Sequence, residues 1–292
     1  MSARYAVRVL CSDGRYPATP LVVAPFGVLA AEDFAWSAVQ VSDIGLGYST
    51  TSSRAGAPLG EISWLTPPEI RFLSAATLAE AHPRTNGRLR IYTRTGAELL
   101  QLEEPVAPDR LFAASHDAAA SALTDLHAKD WAEPDPGGRP ETMDGDYAAE
   151  VRRLLDRMNG TDALLHRGLY KLLMATELMR HFKFLEESAL SALISREAAL
   201  ELLRRKLSAG KRWSLDDVLE HIAQTFPSGE PFAEVLRTDW DVRVMMAHPV
   251  SKHGEHWSPP VEADECFEAL HTLTYLYRYL LLDEVWVPAE YD

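Results

Sequence analysis

Between about Asp162 and Asp283 the apolar side chains recur every three or four positions, the spacing that puts them on one face of an α-helix. Leu165, Leu169, Leu172 and Met179 share one such face, and Ala189, Leu193, Leu200, Leu203 and Leu207 share another. Ser208-Ala209-Gly210 stops the second helix. Ser214 is an N-cap for the next, with Asp216 and Asp217 in the first turn, where the helix dipole favours negative charge. A further helix is expected over Phe232–His248, ended by Pro249, and a last one over about Glu262–Asp283 that buries Cys266, Leu270, Leu273, Tyr277 and Leu280. Helices joined by such short connections pack as antiparallel neighbours.

The first third reads differently. Arg4–Leu10 alternates polar and apolar residues, as a half-buried strand does, and Pro20–Leu29, Ala38–Gly47 and Arg88–Thr93 have the composition of further short strands. A helix is expected over Glu69–Ala81 behind Pro67-Pro68, and another over the alanine-rich Ala113–Trp131. Three prolines and two glycines between Glu133 and Pro140 mark a linker. The expected fold class is therefore a β-rich α+β N-terminal domain (1–132), a linker (133–144) and an all-α helical-bundle C-terminal domain (145–292).

Composition narrows the function classes. A hydrophobic share of 47% and a charged share of 25% suit a globular chain. The net charge of −14 argues against a surface that coats nucleic acid, yet allows one local basic site. Cys11 and Cys266, far apart, make neither a disulfide framework nor a metal knuckle. With neither a signal peptide nor a run of about 20 apolar residues, the expectation is a cytoplasmic protein with no membrane contact. Phosphate-loop, dinucleotide and nucleophile-elbow motifs are missing, so no cofactor is expected.

One segment carries candidate chemistry: Asp241-Val-Arg243-Val-Met-Met-Ala-His248-Pro249. On a continuous helix His248 would point about 140° away from Arg243. Pro249 disfavours the helical conformation at the residue before it, which frees His248 to leave the helix and turn back. A guanidinium can grip phosphate oxygens and stabilise charge growing on them. An imidazole can accept or donate a proton near neutral pH. RNA brings its own nucleophile, the 2′-hydroxyl. The bland alternative is an ion pair of Arg243 with Asp239 and a His248 that caps a helix end.

This arginine, four-residue gap and histidine near the end of a late helix, between long helices, resembles the HEPN superfamily (higher eukaryotes and prokaryotes nucleotide-binding domain). The resemblance spans about Asp162–Asp283. It implies a homodimer with two motifs facing a shared cleft, and metal-independent cleavage of RNA in phage defence or stress responses, with Arg243 and His248 as catalytic residues. Active members usually carry a polar residue directly after the arginine, where this chain has Val244. The alternative is therefore a catalytically inactive HEPN-like module for dimerisation or nucleotide binding. Lys252 and His253, on the loop beside the cleft, and Glu187, opening the second long helix, are candidate substrate contacts. His248, His253, Glu255 and His256 could instead ligate zinc, but no metal is expected. The basic run Arg204–Arg212 could help to hold RNA. The N-terminal domain, which has no chemical motif, is assigned recognition of a protein or ligand trigger.

Overall fold

A computed structural model describes residues 2–11, 21–23, 28–31, 34–40, 65–80, 97–130, 145–158, 162–180, 184–208, 213–226, 231–237 and 261–285. The chain divides into two compact units that do not follow chain order: Met1–Leu73 with Arg90–Leu155, and Ser74–Leu89 with Asp156–Asp292. The strands are β1 (Ser2–Cys11), β2 (Leu21–Val23), β3 (Val28–Ala31), β4 (Phe34–Gln40) and β5 (Ala97–Glu103). The helices are α1 (Pro67–Glu80), α2 (Pro108–Asp130), α3 (Gly145–Arg157), α4 (Ala163–Arg180), α5 (Leu185–Leu207), α6 (Leu215–Thr225), α7 (231–237) and α8 (Ala263–Leu282).

The expectation of a β-rich α+β N-terminal domain is overturned, because the protein is mostly helical. The five strands have 10, 3, 4, 7 and 7 residues. Even within the first unit helix outweighs strand, since α2 alone runs for 23 residues and α3 for 13. Alternation in sequence reports that a short segment is half-buried; it does not report how much of a domain is sheet. Of the expected strands, Arg88–Thr93 lies outside the described residues, and the one over Ala38–Gly47 is described only as the end of β4.

In the first unit the strands pair antiparallel in the order β2-β3-β4-β1-β5. Both faces of β4 are covered: Ala35, Trp36, Ser37 and Ala38 are all buried. On one face Trp36 meets α2, donating its indole N–H to Ser115 Oγ at 3.0 Å and standing edge-on to Phe112. A buried indole needs such an acceptor for its N–H. On the other face Arg8 and Ser37, directly opposite each other in the register, turn toward the buried carboxylate of Glu69 on α1. Glu69 also accepts from the Thr66 N–H at 2.7 Å, so one acid closes the start of α1 and neutralises a buried arginine.

In the second unit α4, α5 and α8 pack together, with α6 on α5. Asp162 starts α4 by accepting from the Leu164 and Leu165 N–H groups at 2.9 and 3.1 Å. The buried face of α5 is lined by small residues, among them Ser188, Ala192, Ser195 and Ala199, which lets α4 come close. Ser188 Oγ donates to the Ala175 carbonyl at 2.8 Å and Ser195 Oγ to the Gly168 carbonyl at 2.7 Å. These pairs are seven residues apart on each helix and run in opposite directions, so α4 and α5 are antiparallel and braced at two levels of one seam. The α8 contacts ascend along α5, from Cys266 at Leu185 to Tyr277 at Ser195 and Lys206 at Leu280, so α8 runs parallel to α5. No helix of the described residues is long and apolar enough to cross a membrane.

Candidate functional site

The two residues that carry the sequence reading, Arg243 and His248, lie outside the described residues, as do Val244, Lys252, His253, Glu255 and His256. Glu187 is described, in the first turn of α5 beside Glu186, where its side chain is exposed. The described surroundings in the chain are α7 before the motif and α8 after it.

An aromatic cluster fixes α7 against α6 and α8. Phe232 packs on Phe226 with ring centroids 5.1 Å apart and on Tyr275 at 6.3 Å. Phe226 stands edge-on to Tyr279 at 5.2 Å. The Tyr279 hydroxyl lies 2.7 Å from His221 Nε2 on α6. Burial pushes the Tyr279 phenol up, with the Asp283 charge acting in the same direction, so it stays protonated at neutral pH. Tyr277 and Tyr279 are buried and Tyr275 half-buried, so these tyrosines serve packing within the unit.

A cleft of about 900 Å³ opens between α5, α6 and α7. Its floor holds the buried Leu200, Leu219 and Leu236, with Trp213 at one side, while arginines and carboxylates stand around it. Glu201, on its wall, accepts from Arg204 Nε at 2.7 Å and from Arg205 Nε at 2.9 Å. The hydrogen bond from Arg204 holds its carboxyl well below the ordinary carboxylate range, at about 2, with Arg205 contributing. Asp217 is engaged in the capping box of α6, where it accepts from the Ser214 N–H at 2.6 Å while Ser214 Oγ accepts from the Asp217 N–H at 3.1 Å. An apolar floor with a wall of both signs suits an amphipathic ligand rather than a polyanion. Sequence spacing had not pointed to this cleft, because Arg196, Trp213 and Arg237 come together only when α6 and α7 fold onto α5.

The basic run expected to offer positive charge is largely spent on the protein itself. Arg204 and Arg205 share Glu201. Lys206 pairs with Asp283 at 2.6 Å and donates to the Leu280 carbonyl at 2.8 Å, closing the C-terminal end of α8. Lys211 and Arg212 lie outside the described residues. Burial pushes the Cys266 thiol up to about 11, which disfavours the nucleophilic thiolate, and it donates to the Leu185 carbonyl at 3.3 Å. Among the described residues no group of three or more His, Cys, Asp or Glu side chains is placed to hold a metal ion. The chain matches no family model, and no curated protein or solved structure is significantly similar to it.

Proposed function

We propose that this protein is a metal-independent RNA endonuclease of the HEPN type. The observation that carries the reading is the order of the chain. In chain order Arg243, four residues, His248 and Pro249 lie between α7 and α8, in a unit whose long helices α4 and α5 are braced by buried hydroxyls. In this reading Arg243 holds the scissile phosphate and stabilises the charge that builds on it. His248 acts as general acid or base. The 2′-hydroxyl loses its proton and attacks phosphorus, the bond to the 5′-oxygen breaks, and that oxygen takes up a proton. The products are a 2′,3′-cyclic phosphate and a 5′-hydroxyl. Two copies of the chain would face each other across one cleft, with Lys252, His253 and the exposed Glu187 as candidate contacts to the strand. The first unit would receive the trigger that releases activity, in phage defence or a stress response.

The test is purified protein on mixed RNA in the presence of EDTA. Wild type should cut RNA and leave a strand with 2′-deoxy substitution at the scissile position intact. Arg243→Ala and His248→Ala should each abolish cleavage, and cleavage retained by either variant removes that residue from the mechanism.

Val244 favours a second reading, a non-cleaving HEPN-like module that dimerises or binds a nucleotide. It predicts a stable dimer by light scattering, a nucleotide retained through purification and no RNA turnover. Robust cleavage by the wild type excludes it.

A further inference from the structure

In a protein of net charge −14, α4 is a cationic helix. Between Ala163 and Arg180 it carries Arg167, Lys171 and Arg180 against a single acid, Glu177. Arg167 is exposed and Lys171 half-buried, one helical turn apart on the same face. Among the described residues neither pairs with a carboxylate. Among the described residues the polar contact of the Lys171 ammonium is the Met174 sulfur at 3.4 Å. Burial lowers the Lys171 ammonium from its ordinary value and the Arg167 charge lowers it further, as expected of two cations left facing each other.

Other cations of the second unit are placed differently. Arg204, Arg205, Lys206, Arg237 and Arg278 each meet a carboxylate. Arg157 stands in the last turn of α3, where the helix dipole accounts for a cation. Like charges one turn apart destabilise a helix, so the Arg167–Lys171 pair works against the fold that carries it. An anion bridging both groups would relieve that repulsion.

We infer that the Arg167–Lys171 face of α4 contacts the phosphate backbone of the RNA strand that the protein cleaves. The inference rests on the proposed ribonuclease reading and adds a docking surface to it. Two cations one turn apart can each neutralise one of two successive phosphates. The contact reads no bases, so it adds affinity without sequence preference.

The experiment measures binding of a single-stranded RNA to full-length His248→Ala protein, which holds the strand without cutting it, over a range of salt concentrations. Adding Arg167→Gln and Lys171→Gln should weaken binding and flatten the plot of log affinity against log salt by about 1.4, the slope of two single-strand phosphate contacts. Arg157→Gln, an exposed cation on another helix, should leave the slope unchanged. The double variant should melt at the same temperature as its parent or higher, because a like-charge repulsion has gone. An unchanged slope in a chain that binds RNA, and whose His248 form cuts it, overturns this inference and leaves the ribonuclease reading standing. If neither chain binds RNA, both fall.

Discussion

The hydroxyl of Tyr277 on α8 occupies the place where residue 168 on α4 would carry a Cβ, and only a glycine leaves it room. Tyr277 is fully buried and donates to the Ser195 carbonyl at 3.1 Å. Ser195 Oγ, also 3.1 Å from the Tyr277 hydroxyl, donates to the Gly168 carbonyl. Three helices thus meet at one glycine, and the polar groups there satisfy one another.

Gly168→Ala tests this meeting point. In an ordinary helix the change would stabilise by about 1 kcal/mol through helix propensity. Here the new methyl would overlap the Tyr277 hydroxyl and lie 2.8 Å from the Ala198 Cβ. The expected outcome is a net loss of about 1–3 kcal/mol from overpacking. Adding Tyr277→Phe should recover part of the loss. Urea denaturation of the two single variants and the double variant measures the coupling; additivity would mean that the hydroxyl and the methyl do not compete for space.

Glu69→Leu takes the Glu69 charge away from the buried Arg8 guanidinium and an acceptor from Ser37 and from the Thr66 N–H. Removing one partner of a buried pair costs about 3–5 kcal/mol. The double variant Arg8→Met with Glu69→Leu should be markedly more stable than either single one, because neither half of this buried pair then stays without the other. Chemical denaturation of the three variants decides it, and a double variant less stable than both singles would refute the argument.

His271 gives a pH dependence. Burial pulls its imidazole below the ordinary 6.5, and the Glu268 charge offsets this in part. The folded state disfavours the protonated form, so as pH falls the unfolded chain takes up its proton first. The associated stability is present above about pH 6.5 and erodes as pH falls toward the lowered folded value. Denaturation midpoints at pH 7.5, 6.5 and 5.5 should show His271→Gln losing less stability than wild type between the upper and lower pH. Parallel losses in both chains would assign the acid sensitivity elsewhere.

Ser214→Ala removes the side-chain acceptor for the Asp217 N–H at the start of an 11-residue helix. The expected loss is about 1 kcal/mol, and a helix this short has little else of its own to hold it. Amide hydrogen exchange should show the first turn of α6 losing protection before the rest of the helix. Uniform loss along α6 would mean that its packing on α5, not the cap, sets its stability.

The sequence by itself determined the local features. The Ser214 cap, the prolines opening α1 and the apolar stripe of α8 follow from spacing and backbone chemistry that neighbouring residues impose on one another. The candidate pair Arg243 and His248 was likewise read from spacing alone. Tertiary structure decided what depends on distant partners. Arg8 reads as the solvent side of an alternating strand, yet it is buried because Glu69 comes to meet it. Arg278 lies in the core and donates to the Leu78 carbonyl at 3.0 Å, 200 residues away in the chain. Arg204 to Lys206 look like a free basic patch until Glu201 and Asp283 neutralise it. The β-rich expectation failed for the same reason. Periodicity measures whether a segment has a buried face, while the share of sheet and helix in a domain is set by which faces find each other, and pairing energies act across space rather than along the chain.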